Sequence, residues 1–369
     1  MLTTATFSKA EYFVIYILLV TVQRFETAPN GKDEYDFEEV TLDQEVTPSV
    51  DVEYHTEEPR TAYVDPAWEC GRSPVLNGVD SYHPPDFLTG DNSDNNGNSQ
   101  TPRKKVPPGL IINGTEVQRG EIPWMVAITK YQYNRVPRWK VVCGGVLLND
   151  RFVLTASHCL QGRYKDTLEV VFNVDDSSLI TNDVRVIRRK IKRVILHPEY
   201  NSVTIDNDIA LIEITKPLEI SEVARNVWPV CLPAHDDEDY SHIGTVAGWG
   251  YTKWIENKAA PANASAYLRK VYIPILTHEE CLQTKLPSKN NVTENMLCAG
   301  YVEDGGKDSC LNDSGGPLTV EENGRTRVVG IVSWGIGCGL KGYPGVYTRV
   351  MKYLDWIHGY IGDSSYKIT

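Results

Sequence analysis

The run Asp308-Ser309-Cys310-Leu311-Asn312-Asp313-Ser314-Gly315-Gly316-Pro317 sets a serine between an acid and two glycines, shortly after a cysteine. Such a string suits a nucleophile on a tight loop, because glycine lets the backbone fold back and bring amide hydrogens near the hydroxyl. Taken alone it is equally an ordinary glycine-rich turn. Two distant strings argue against the turn. Leu154-Thr155-Ala156-Ser157-His158-Cys159 follows Cys143-Gly144-Gly145. Asp206-Asn207-Asp208-Ile209-Ala210-Leu211-Ile212 puts an aspartate ahead of an apolar run that reads as a buried strand. A serine hydroxyl is a poor nucleophile at its free pKa. Ser314 needs His158 to take its proton, and His158 needs the Asp208 carboxylate to fix its tautomer and stabilise the imidazolium.

Groups so far apart in sequence need a rigid frame. From Ile111 onward, short runs rich in Val, Ile and Leu recur between turn signals, at Trp124–Ile128, Val146–Leu148, Val170–Phe172 and Val328–Val332. That spacing predicts an all-β barrel architecture. The chain before Ile111 has a different texture. Lys9 precedes an apolar stretch from Tyr12 to Val22, too short to span a bilayer, which reads as a secretory signal over residues 1–28. Residues 29–68 form an acidic segment without aliphatic periodicity, expected to be disordered. Within it, Asp33-Glu34-Tyr35-Asp36-Phe37-Glu38-Glu39 mixes aromatics with acids. It is either a solvated tail or a docking segment for a basic surface, with Tyr35 open to sulfation. Residues 69–110 read as a linker that includes the low-complexity run Asp91–Ser99 and the protease-sensitive Arg103-Lys104-Lys105.

The formal net charge is −12, concentrated in the early chain, so the domain from Ile111 is closer to neutral. No basic stripe stands out to neutralise phosphates, so neither a nucleic-acid nor a membrane partner is expected. Eight cysteines behind a secretory signal suggest four disulfides, whose connectivity the sequence alone leaves open.

From Ile111 to near the C-terminus the chain resembles the chymotrypsin/trypsin family of serine endopeptidases, carried by the His158, Asp208 and Ser314 strings together. The resemblance implies two six-stranded antiparallel β-barrels in residues 111–369, with a closing helix around Tyr353–Ile357. It implies pairing of Cys143 with Cys159, Cys281 with Cys298, Cys310 with Cys338, and Cys70 with Cys231. Cys70 would then keep the pro-segment attached after cleavage. The resemblance places Asp308 at the base of the specificity pocket, where a buried carboxylate selects Arg or Lys. Gly335 and Gly345 fall at pocket walls that leave room for a long side chain. Ser333, just before Trp334, matches the serine that bonds the catalytic aspartate. Ile111 would become a new N-terminus after cleavage at Leu110, and its ammonium would pair with Asp313 as a unit.

The implied function is a secreted, zymogen-activated endopeptidase cutting after Arg or Lys in an extracellular cascade of the innate-immune or clotting kind. Its partners would be protein substrates, protein inhibitors and an activating protease that cleaves after Leu. No cofactor and no metal are expected; Pro344 stands where some members carry a tyrosine linked to sodium binding.

Two positions depart from the family pattern. Leu110 replaces the usual Arg or Lys before the activation bond, in which the chain is similar to arthropod modular serine proteases. Asn312 replaces a glycine whose amide, beside that of Ser314, forms the oxyanion hole. The alternative is therefore a catalytically weak or silent homologue that acts as a binding partner. Asn113, Asn263 and Asn291 head glycosylation sequons. The acidic loop at Asp175-Asp176 reads as a solvated turn rather than a calcium site.

Overall fold

The computed structural model describes residues 70–73, 114–133, 138–219, 226–233, 243–251, 264–286, 292–310 and 313–362. The signal stretch, the acidic segment, Leu110, Ile111, Asn312 and the three sequon asparagines lie outside them. No described helix is long and apolar enough to cross a membrane.

After a short strand β1 (Thr115–Glu116) come β2 (Met125–Gln132), β3 (Arg138–Leu147), β4 (Phe152–Thr155), β5 (Leu168–Phe172), β6 (Ile187–Leu196) and β7 (Ala210–Ile214). These six close into a barrel in the order β2-β3-β4-β7-β6-β5. A second set follows: β8 (Ile243–Gly248), β9 (Arg269–Leu276), β10 (Met296–Ala299), β11 (Pro317–Glu322), β12 (Arg325–Trp334) and β13 (Gly345–Arg349). It closes in the order β8-β9-β10-β13-β12-β11 and back to β8, with β1 appended to β9. Every pairing between these strands is antiparallel. The two six-stranded barrels expected from the sequence are present.

The apolar runs are continuous because both faces of several strands are covered. On β2, Val126 and Ile128 join the first barrel's core with Leu154, Leu211 and Phe172. Met125 and Ala127, which point the other way, pack with Val171, Trp249 and Leu268. Alternation vanishes from the sequence when each face meets apolar neighbours. The second barrel has its own core of Val246, Ile273, Leu297, Leu318, Val329 and Tyr347.

Two α-helices are described. α1 (His278–Leu282) starts with a capping box between Thr277 and Glu280, which satisfies backbone donors that the first turn leaves open. α2 (Leu354–Ile361) follows a 3-10 turn at Val350–Tyr353. Its buried residues Leu354, Ile357 and Ile361 fall on one stripe. The last two pack into the first barrel's core cluster although the helix follows the second barrel, so the chain's end closes back on its beginning. Disulfides join Cys70–Cys231, Cys143–Cys159, Cys281–Cys298 and Cys310–Cys338.

Leu211 is fully enclosed in β7, directly opposite Leu154 of β4. Leu211→Ala is expected to cost about 2–5 kcal/mol, the transfer of the lost atoms plus the cavity left behind. Urea unfolding of the two proteins measures this; a difference below about 1 kcal/mol would contradict the packing described here.

Candidate active site

His158 lies on the 3-10 turn Ser157–Cys159 directly after β4, and Asp208 immediately precedes β7, the strand paired with β4. Strand pairing therefore brings the two loops to one end of the first barrel. Asp208 is 1% exposed. A buried carboxylate needs donors, and three converge on it. The His158 amide donates to Oδ1 at 2.9 Å, the His158 ring places Nδ1 2.7 Å from Oδ2, and Ser333 Oγ donates to Oδ2 at 2.6 Å. Ser333 comes from β12 in the second barrel, so the carboxylate is clasped from both sides. Thr348 Oγ1 on β13 adds a bond to the Asp208 carbonyl at 2.6 Å, and Ser157 Oγ one to the Ile209 carbonyl at 2.6 Å.

With Nδ1 committed to Asp208, Nε2 is left to act outward. It lies 3.7 Å from Cys159 Sγ and makes no hydrogen bond to Ser314 Oγ. That contact commonly tightens only once substrate is bound. Ser314 is held by its backbone: its carbonyl accepts from the Gly144 amide at 2.8 Å, which joins the serine loop to β3. The Ser314 amide has no acceptor among the described residues. It is the free donor that an oxyanion would require. The next residue, Gly315, has φ +77°, and a Cβ there would strike the Thr155 hydroxyl and the Gly144 carbonyl oxygen. Only glycine fits.

Asp308 is 4% exposed. Its Oδ2 accepts from the Gly339 amide at 2.9 Å, while Oδ1 is buried with no partner among the described residues. Burial pushes its pKa up to about 7. Gly345 packs against it, and a Cβ there would come 3.0 Å from Oδ1 and 3.1 Å from the Tyr347 hydroxyl. Ser309 Oγ and Tyr347 Oη, 3.0 Å apart, lie beside the same pocket. A buried carboxylate with one oxygen left unpaired is a receptor for a cation. Gly335 lies nearby, its hypothetical Cβ 3.8 Å from the Gly345 Cα, and Trp334 packs on the cluster of Cys298 and Val346.

Asp313 is wholly buried and accepts from the Gly250 amide at 2.7 Å and the Cys310 amide at 2.9 Å. Burial lifts its pKa to about 6 despite those donors. Among the described residues no cation pairs with it. Asn312, Leu110 and Ile111 lie outside the described residues.

The sequence reading overlooked Thr348, Ser157, Ser309 and Tyr347, small polar or aromatic residues in strands and loops whose roles depend on long-range contacts. It also overlooked a second interbarrel clasp. Asp206 accepts from Thr293 Oγ1 at 2.8 Å and Asn295 Nδ2 at 3.3 Å, and the Tyr353 hydroxyl donates to Asn207 at 3.0 Å. His197 is half-buried beside the rings of Tyr353 and Trp356, and burial lowers its pKa. Asp175, read as part of a solvated turn, is engaged by the Arg119 guanidinium. Cys143, His158 and Cys159 lie close enough to resemble a metal cluster, yet both sulfurs are tied in a disulfide and offer no thiolate.

Residues 111–357 match the family model described as Trypsin. The chain is 37% identical over 261 residues to vitamin K-dependent protein C of Mus musculus, an alignment covering 70% of this chain and 53% of that protein. It is 38% identical over 257 residues to the Rattus norvegicus protein of the same name, covering 69% and 52% respectively. The matched region thus spans about half the length of these relatives.

Asp308 yields a pH signature. Its folded pKa of about 7 lies above that of an unfolded aspartate, so the folded chain holds the extra proton between about pH 4 and pH 7. Stability from this group is present at low pH and lost as pH rises through that window. Asp308→Asn is expected to raise the melting temperature relative to wild type progressively from about pH 4 to pH 7, by up to a few kcal/mol in stability. A difference that does not change with pH would contradict a carboxyl whose proton is held by burial.

Proposed function

This chain belongs to the trypsin family, and from that premise we propose that it is a secreted serine endopeptidase that cleaves after Arg or Lys. The observation that carries the reading is the buried Asp208 carboxylate, which binds the His158 ring at 2.7 Å and leaves the opposite ring nitrogen free. In this reading Ser314 Oγ attacks the scissile carbonyl carbon while His158 Nε2 takes the hydroxyl proton. The oxyanion is met by the amides of Ser314 and Asn312. The C–N bond then breaks as His158 returns the proton to the leaving amine. Water, deprotonated by the same histidine, hydrolyses the acyl ester and restores Ser314. Asp208 holds the ring and stabilises its cationic form.

Asp308 supports the preference for Arg or Lys, because a guanidinium or ammonium would complete the partnerless Oδ1. Asp313 supports activation by cleavage. Leaving its carboxylate alone in the interior is costly, and a new ammonium at Ile111 is the cation that would relieve it. Residues 1–28 would be removed on secretion, and residues 29–110 would remain attached through Cys70–Cys231. An activator that cuts after Leu110, protein substrates and protein inhibitors complete the proposed setting, an extracellular cascade. Asn113, Asn263 and Asn291 are proposed glycan sites.

Asn312 favours a second reading, a weak or silent homologue. If that position requires φ > 0, a non-glycine residue there carries a penalty of about 1 kcal/mol. Loss of one oxyanion donor lowers kcat roughly 10²–10³-fold.

Secreted full-length chain, cut by a Leu-specific protease and sequenced for a new Ile111 terminus, is to be assayed on Arg, Lys and Phe amides. Hydrolysis of the Arg and Lys substrates is expected, falling at least about 10³-fold in Ser314→Ala. Correctly cut chain without Ser314-dependent hydrolysis would sink the enzyme reading. Asn312→Gly is expected to raise kcat, by up to roughly 10²-fold if the donor is now displaced. Unchanged turnover would show that Asn312 holds the oxyanion amide in place.

A further inference from the structure

The string Asp206-Asn207-Asp208 gives its third residue to the triad and leaves the first two without a role. The second barrel and the turn after it hold all three. Asp206 Oδ1 accepts from Thr293 Oγ1 at 2.8 Å and from Asn295 Nδ2 at 3.3 Å, both on the segment leading into β10. Asn207 Oδ1 accepts from the Tyr353 hydroxyl at 3.0 Å, on the 3-10 turn that follows β13. Asp208 is held through its carbonyl by Thr348 of β13 and through its carboxylate by Ser333 of β12. The grips on Asp206 and Asp208 are linked, because β10 and β13 are neighbours. Met296, next to Asn295, pairs with Thr348, and the Arg349 amide donates to the Asn295 carbonyl at 2.9 Å.

The backbone at this point is one the sequence would not adopt unaided. Ile205 has φ +57° and Asn207 φ +54°. Asparagine enters that region readily, whereas a β-branched residue there is a strained outlier. Such strain persists only where surrounding contacts over-determine the conformation. Asp206 lies between the two, and its Oδ1 also accepts from the Asn207 amide at 3.0 Å. The oxygen that binds the second barrel therefore also fixes the peptide next to Asn207. Beyond it, the Ile209 amide donates to the Asn207 carbonyl at 2.8 Å, which closes a tight turn with Asp208 at its apex. The direction of the Asp208 side chain follows from that turn, and so does its 2.7 Å contact with His158 Nδ1. A misplacement of about 1 Å in a catalytic group lowers turnover on the order of 10²-fold.

We infer that Asp206 is a positioning residue for the triad: bound by Thr293 and Asn295, its carboxylate keeps Ile205 and Asn207 at positive φ and so aims Asp208 at His158. Asp206 acts through Asp208 and not on substrate. Its effect on turnover rests on the endopeptidase reading; its effect on the His158 ring does not.

Asp206→Ala, Asp206→Asn and Thr293→Val are to be compared with wild type as uncut full-length chain, by proton NMR of the low-field His158 Nδ1 proton. In Asp206→Ala and Thr293→Val this proton is expected to move upfield and to exchange with water at least about tenfold faster. Asp206→Asn keeps an oxygen that can accept from Thr293 and from the Asn207 amide, and is expected to retain the wild-type resonance. Thr293→Val leaves the loop of Asp208 itself intact, so it carries the comparison if Asp206→Ala does not fold. Thr293 also closes the Asn291 sequon, and Asn291→Gln is the control for that loss.

After cleavage at Leu110, kcat is expected to fall about 10- to 100-fold in Asp206→Ala and in Thr293→Val, with KM within about twofold of wild type. The double variant is expected to be no slower than the slower single one, because both remove the same contact. The acid limb of the pH profile is expected to move to lower pH, as the imidazolium loses its aligned counter-charge. A correctly cut wild type without activity would sink the endopeptidase reading and leave the resonance to decide the role of Asp206. Variants that melt at lower temperature yet keep the wild-type resonance would overturn that role. So would a loss confined to KM, which would put Asp206 in contact with substrate.

Discussion

The arrangement depends on one buried carboxylate. Asp208 sits at the end of the first barrel, and its donors come from the His158 turn and from β12 of the second barrel. Thr348 of β13 holds its backbone. A carboxyl group so enclosed is tolerable only with several short hydrogen bonds, so the requirement that it be satisfied also fixes how the two barrels meet. The ring orientation of His158 follows from the same bonds. Folding and chemistry are thus served by one set of contacts, and a change in either barrel that shifts Ser333 or Thr348 would be felt at the histidine.

Two further acids are buried differently. Asp308 and Asp313 receive backbone donors but no described cation, and burial raises both pKa values. They are incomplete as they stand. In the proposed reading each is completed by a cation that arrives later, a substrate side chain for Asp308 and a chain terminus for Asp313. Destabilisation left open in the uncut, unliganded protein becomes binding energy when the partner comes.

Much of the site was legible because its chemistry demands particular residue types in particular local settings. A histidine beside a cysteine, an aspartate heading a buried strand and a serine before two glycines are readable as strings. The barrel architecture was legible from short apolar runs, while the two-barrel count and the closing helix α2 came from the family resemblance. What the strings concealed is what depends on distant pairing. Thr348 gains its partner only when β13 folds against the loop before β7. Ser309 meets Tyr347 across the pocket, and Asp206 meets Thr293 and Asn295 across the barrels. Residues of ordinary type at ordinary spacing carry no signal until topology brings them together.

The most direct measurement of the central claim is the tautomer of His158, read by nitrogen-15 NMR on uniformly labelled protein, with Asp208→Asn as the comparison. If the Asp208 carboxylate sets the ring, neutral His158 carries its proton on Nδ1, with a low-field proton resonance that disappears in the variant. A neutral ring protonated on Nε2 in the wild-type protein would contradict the account, because the nitrogen facing Ser314 could not then accept a proton.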